Sequence, residues 1–185
     1  MKKISSYCPL ITFCVLLLAA CNMATPENYF DQAVLNSNMM MGFANDGLQR
    51  QLDQPSVKLV EGTKDQTAPM KRKEIIDNQI QYLDESFAKV KNLKETDDSR
   101  DILKASIALY EYVLPVYKND YIQLAKLYDD NAPKEQITAL SKSIQDKYFT
   151  GFEERLNALT NAGKPYAERH KIPVKWGVKT SPDLH

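Results

Sequence analysis

The chain has 185 residues, with 24 basic and 24 acidic side chains, 43% hydrophobic residues and a mean hydropathy of −0.45. A balanced charge supplies no basic surplus for a phosphate backbone, so nucleic acid is not an expected partner. Two histidines and three cysteines leave little material for a metal centre or a disulfide framework.

Lys2 and Lys3 precede an apolar stretch from Leu10 to Ala20, and Cys21 follows. This charged, apolar, small-residue order is that of an export signal. The stretch is too short to cross a bilayer, which takes roughly 20 apolar residues. Leu18-Ala19-Ala20-Cys21 resembles the lipobox of bacterial lipoprotein precursors, a branched apolar residue and two small ones before the cysteine. In that family cleavage falls before the cysteine, and its sulfur and freed amine carry acyl chains such as palmitate. The resemblance implies a signal peptide over residues 1–20, loss of Cys8 and Cys14 with it, lipidation at Cys21 and a tether over 21–25. Asn22 stands where an aspartate would, in many enteric-type bacteria, retain such a protein at the inner membrane. Its presence favours the outer membrane and leaves open whether the periplasmic or the surface face is exposed. Cleavage would leave 22 basic residues against 24 acidic ones and no thiol beyond Cys21.

Thr25, Pro26, Glu27 and Asn28 read as an N-cap, a proline at the first helical position and an acid in the first turn. The first helix is expected from Pro26 to about Leu52. Residues 53–69 hold prolines, a glycine and polar spacers and are expected as a long loop. Ile76, Ile80, Leu83, Phe87 and Val90, spaced 4, 3, 4 and 3, predict a second helix from about Pro69 to Leu93. Asp97 or Asp98 is the expected cap of a third, from about Ser99 to Asp129. Its two adjacent apolar stripes, Ile102, Leu109, Val113, Val116 and Leu103, Ile107, Tyr110, Leu114, Tyr117, Tyr121, Leu124, predict a central, covered position. Pro115 should kink it near Glu111. A fourth helix is expected after Pro133, through Ile137, Leu140, Ile144, Tyr148, Phe152, Leu156 and Leu159, with Gly163 and Pro165 bending or breaking it. No convincing strand pair is apparent. The natural solution is all-α, an antiparallel four-helix bundle over 26–171. Residues 172–185 form an extended C-terminal segment in which Ile172, Val174, Trp176 and Val178 alternate, a strap that pairs with Val57 to Val60.

Catalytic chemistry is mostly absent from the pattern. A di-iron bundle uses Glu-x-x-His on two helices, whereas Ala167 and Pro182 precede His170 and His185 by three residues. No metal and no cofactor is expected, and His170 reads as a surface or C-capping residue. Ser86-Phe87-Ala88-Lys89 matches Ser-x-x-Lys, but the Ser-Asp-Asn and Lys-Thr-Gly partners of that chemistry are missing. Lys179-Thr180-Ser181 lacks the glycine. Asp84 with Glu85, and Glu153 with Glu154, diverge around their helices and read as solvated faces.

Tyrosine is the unusual feature. Half of the ten tyrosines fall in the third helix, and Tyr110, Tyr117, Tyr121 and Tyr128 share a face by spacing. A tyrosine-rich core with hydroxyls at its rim is one reading. The other is an aromatic binding groove formed by Tyr110, Tyr117, Tyr121, Tyr128 and Trp176, with Met39, Met40 and Met41 as adaptable lining.

The order of helices from about Tyr29 to His170, and the closing FEERLNALTNAGKPYAERHKI with Phe152, Tyr166, Ala167, Arg169 and His170, is similar to an uncharacterised family of bacterial surface lipoproteins of helical-bundle type. The long 53–69 loop and the Gly163 and Pro165 break depart from it. The resemblance implies an envelope location and supplies no catalytic residues. The expected protein is non-enzymatic and held to the membrane through Cys21, with a protein or envelope component as partner. The alternative is a small-ligand or lipid carrier or sensor using the tyrosine groove.

Overall fold

The computed structural model describes residues 24–176, so Cys21, Val178, Lys179, Thr180, Ser181, Pro182 and His185 lie outside the described residues. What it describes is mostly helical. Helix α1, Pro26–Ala33, starts as expected: Thr25 Oγ1 accepts from the Asn28 amide at 3.2 Å, and Glu27 sits in the first turn. Tyr29, Phe30 and Ala33 are its buried face.

The first helix does not continue to Leu52. A 3-10 segment, Leu35–Met40, and a turn intervene before α2, Asp46–Asp53. The run LNSNMMMGFAN has weak helix formers, and its Asn and Ser side chains compete for backbone groups: Ser37 Oγ donates to the Val34 carbonyl and Asn45 Nδ2 to the Met41 carbonyl. Asn45 then caps α2 by accepting from the Gly47 amide at 2.7 Å. At Gly47 a Cβ would lie 3.0 Å from Gly42 Cα, so this corner closes backbone on backbone.

The expected loop contains a hairpin. Strand β1, Val57–Leu59, pairs antiparallel with β2, Thr67–Pro69, in the register Val57 to Pro69, Lys58 to Ala68 and Leu59 to Thr67. A strand pair is present after all, and among the described residues Val57 to Leu59 pair with β2, whereas Ile172, Val174 and Trp176 form no strand; the rest of the tail lies outside the described residues. The alternation Val57-Lys58-Leu59 was the hairpin's signal; Gly62, at φ 79°, makes the turn.

Helix α3, Arg72–Asn92, begins after Pro69, and its two first amides are capped from a distance: Arg72 N and Lys73 N donate to Asp129 Oδ1 and Oδ2 at 2.8 and 3.0 Å. Ile76, Leu83 and Val90 are buried, while Ile80 and Phe87 are partly covered. Thr96 and Ser99 bond reciprocally in the next turn, and α4, Arg100–Val116, follows with Ser99, not Asp97 or Asp98, at its N-cap. Helix α4 packs against α1, α3 and the long C-terminal helix, the central place that its wide apolar face requires.

The chain stays helical through Pro115. A π-helical turn, Tyr117–Tyr121, follows it, and Asn119 Nδ2 donates to the Pro115 carbonyl at 2.7 Å. The helix resumes as α5, Ile122–Asp129, and ends with Asn131 in the left-handed region at φ 53°.

Helix α6, Lys134–Arg169, runs unbroken through Gly163 and Pro165, about 54 Å by helical rise. Gly163 is there for packing: a Cβ would meet Trp176 at 3.1 Å and Val34 at 3.2 Å. Beyond α6, Ile172, Val174 and Trp176 lie partly buried on the core with no strand partner among the described residues, and Trp176 stands edge-on to Phe30 at 5.8 Å. That strap closes the end of the molecule where Tyr29 Oη donates to the Lys94 carbonyl at 2.6 Å.

Candidate functional site

Three of the five tyrosines of the expected third helix lie in the core. Tyr110, Tyr117 and Tyr121 are 0%, 1% and 3% exposed, and they do not face one site. Tyr110 stacks on Phe87 at 5.3 Å, and no partner reaches its hydroxyl with hydrogen-bonding geometry. Burial pushes its phenol up to about 12, with the Ser86 hydroxyl working the other way. Tyr128 is half-buried at another corner and donates to Asp53 Oδ1 at 2.7 Å. Burial, and then that carboxylate, push its ionisation up. Trp176 belongs to the opposite end, against Phe30 and Gly163. Of the methionines, Met40 is buried, Met39 packs partly against the core and Met41 is exposed.

Tyr117 and Tyr121 instead serve the turn over 41–45. Phe43 sits fully buried among Tyr112, Tyr117, Tyr121, Tyr148 and Phe152, with ring centroids 5.1 to 6.5 Å away. Tyr121 Oη accepts from the Ala44 amide at 2.8 Å, and burial pushes this phenol up to about 12 while that bond pulls it down. Ala44 holds φ 49°, a conformation that costs an alanine roughly 1–2 kcal/mol. Its burial and the tyrosine hydroxyl hold it there.

That turn forms one wall of a cleft of about 440 Å³, lined by Ala44, Asn45 and Asp46 on one side and Gln145, Asp146, Phe149 and Thr150 of α6 on the other. Gln145 Nε2 donates across it to Asp46 Oδ1 at 3.1 Å. Asp146 is engaged by Lys142 at 2.9 Å, and Phe149 is an exposed aromatic at the rim. A second, shallower depression, lined by Ala139, Lys142, Ser143, Asp146 and Lys147, continues along α6. Carboxylates, an amide, a hydroxyl and one ring can hold a polar ligand by hydrogen bonds and stacking, and Phe43 could have been read as the residue that shapes the cleft only with its buried neighbours known.

A second exposed feature is the hairpin. Val57 is 62% and Leu59 63% exposed, with Val60 beside them. One ion pair, Lys58 to Glu74, ties it to α3.

His170 occupies the C-cap position of α6, as expected of a C-capping residue. It and Arg169 both engage the Asp98 carboxylate, Arg169 Nη2 at 2.7 Å. Burial opposes the charge of Asp98, but the His170 and Arg169 contacts outweigh it and hold the carboxyl below its ordinary 3.8. Ser86 is a buried mid-helix residue of α3. Among the described residues no group of three or more His, Cys, Asp or Glu could hold a metal ion, and no helix is long and apolar enough to cross a membrane. No protein-family model, curated protein or solved structure matches the chain.

Proposed function

We propose that this chain is a non-enzymatic, lipid-anchored protein of a bacterial envelope, held through acyl chains on Cys21 in the outer membrane, which binds another protein or an envelope component. In this reading the mature body is an antiparallel four-helix bundle with an extended C-terminal segment. The observation that carries it is the N-terminal order Lys2-Lys3, apolar run, Leu18-Ala19-Ala20-Cys21. Two or more acyl chains at about 0.8 kcal/mol per buried methylene make a durable anchor.

Geometry supports a display role. Only residues 22–25 separate Cys21 from α1, a reach of about 14 Å even when extended. Helix α1 meets the C-terminal end of α3 through Tyr29 and Lys94, whereas the hairpin leads into its N-terminal end. The length of α3, about 31 Å, thus separates the anchored end from the exposed hairpin. The alternative, a small-ligand or lipid carrier with a Tyr-lined groove, has less support, because Tyr110, Tyr117 and Tyr121 are packed into the core.

Metabolic labelling with an alkyne palmitate, run with membrane fractionation on the full chain and on Cys21→Ala, tests the anchor. The native chain should be labelled and sediment with membranes, and the variant should be unlabelled and released. Equal labelling of both refutes the assignment. Protease digestion of intact and lysed cells then tells the surface face from the periplasmic one.

A further inference from the structure

The hairpin's two edges are not equivalent. Val60 N donates to the Gln66 carbonyl and Met70 N to the Ser56 carbonyl, both at 2.8 Å. Antiparallel pairs alternate, so residues 56, 58 and 60 turn their amides and carbonyls toward β2, while those of Val57 and Leu59 face the open side. On the other edge Pro69 has no N–H to offer. Among the described residues the β1 edge is therefore unpaired with its donors and acceptors complete, whereas the β2 edge lacks the donor at Pro69. The ribbon's side chains are also sorted. Val57, Leu59, Thr67 and Pro69 share one exposed, uncharged face, and Lys58 points to the opposite face, toward Glu74. A two-stranded ribbon of this length, exposed nearly throughout, is marginal in water on its own, and a further strand stabilises it.

We propose that the open β1 edge pairs with the β1 edge of a second copy of this chain, antiparallel about a two-fold axis at Lys58. The donors and acceptors of Val57 and Leu59 are arranged symmetrically about Lys58, so the edge is its own complement. In that register Val57 exchanges reciprocal hydrogen bonds with Leu59 of the second copy, and Leu59 with its Val57. The two Lys58 residues become a non-hydrogen-bonded pair with Cα atoms about 4.5 Å apart. Their like charges are met by the Glu74 carboxylate of each copy. An isologous contact of this kind closes at two subunits and leaves no free β1 edge. The choice of a second copy over another extended segment rests on the anchorage proposed above, since chains held to one membrane face meet at high effective concentration.

The register makes a sharp test. Lys58→Cys, Val57→Cys and Leu59→Cys, each in the full chain, are oxidised with copper phenanthroline in whole lysate beside the native chain and resolved without reductant. A Cα separation of about 4.5 Å suits a disulfide, so Lys58→Cys should give a band at twice the monomer mass at least tenfold stronger than either neighbour. Val57→Pro added to Lys58→Cys removes an outward N–H and no bond inside the hairpin, and should abolish that band. Equal bands from all three cysteines, a band joining the chain to a different protein, no band, or a band insensitive to Val57→Pro overturns the proposal. Palmitate labelling of the same samples reads the anchorage separately, and the disulfide band decides the pairing whichever way the labelling falls.

Discussion

Replacing Tyr121 by Phe takes away one oxygen and leaves the ring in place among Phe43 and Tyr117. The lost atom is the acceptor for the Ala44 amide, 2.8 Å away, at a residue 1% exposed. A buried N–H left without a partner costs about 1–3 kcal/mol, and Ala44 cannot easily turn outward because its neighbour Phe43 is locked between aromatic rings. A chain of this size loses about 2–4 °C of Tm for each kcal/mol, so the variant should melt roughly 2–12 °C lower by circular dichroism. The effect should also be local: the Ala44 amide should exchange with deuterium at least tenfold faster, while amides of α3 change only as the global stability does. An unchanged Tm together with unchanged exchange at Ala44 would show that the tyrosine hydroxyl does not hold this turn, and the account of the cleft wall would fall with it.

Gly163→Ala places a Cβ 3.1 Å from the Trp176 ring and 3.2 Å from Val34; despite the helical gain of up to about 1 kcal/mol for alanine over glycine, the strap should loosen. Trp176 is the chain's single tryptophan, so its emission should shift to the red, and an unchanged spectrum would refute the packing role. Asp98→Asn should remove a pH dependence. The folded carboxyl is held below its ordinary value, so its contribution is present above about pH 4 and is lost as pH falls through the folded value. The Tm difference between native chain and variant should therefore shrink as the pH drops below about 4, and a difference that stays constant to the lowest pH measured would refute the clamp.

Where one side of a helix is buried, spacing was a sufficient guide. The stripes from Ile102 to Leu124 predicted a wide covered face for what folds as α4 and α5, because every turn there carries an apolar residue that must find cover, and Ile76, Leu83 and Val90 predicted the buried side of α3. The breaks were harder, because a glycine or proline has two meanings. Gly163 and Pro165 look like a stop, but Gly163 makes room for Trp176 and Val34, contacts that sequence neighbours do not reveal. In the other direction Pro26 to Leu52 looked continuous, although Asn45 before Asp46 and Gly47 already carried the signature of a fresh cap. That Tyr110, Tyr117 and Tyr121 pack into the core was hidden for a related reason. A period of 7, 4 and 7 says that they share a face of their own helix, but not that Phe87, Phe43 and Asp53 reach that face at three separate places. The cleft was not legible at all, since Asp46 and Gln145 are 99 positions apart.

The π-helical turn at Tyr117–Tyr121 bears on more than Pro115. A π-turn holds one residue more than the α-helical path it replaces, and one residue of α-helix corresponds to about 100° of rotation. The turn therefore acts as a phase shifter: everything after Tyr121 is dialled round the axis by a fixed step relative to everything before it. Downstream of that step stand Tyr128, which reaches Asp53, and Asp129, which caps α3. Upstream stand Tyr110 and Val113, already committed to the core. Two contacts on α5 are thus set by residue count as much as by residue type, and this stretch should tolerate exchanges of side chain far better than a change of length by one.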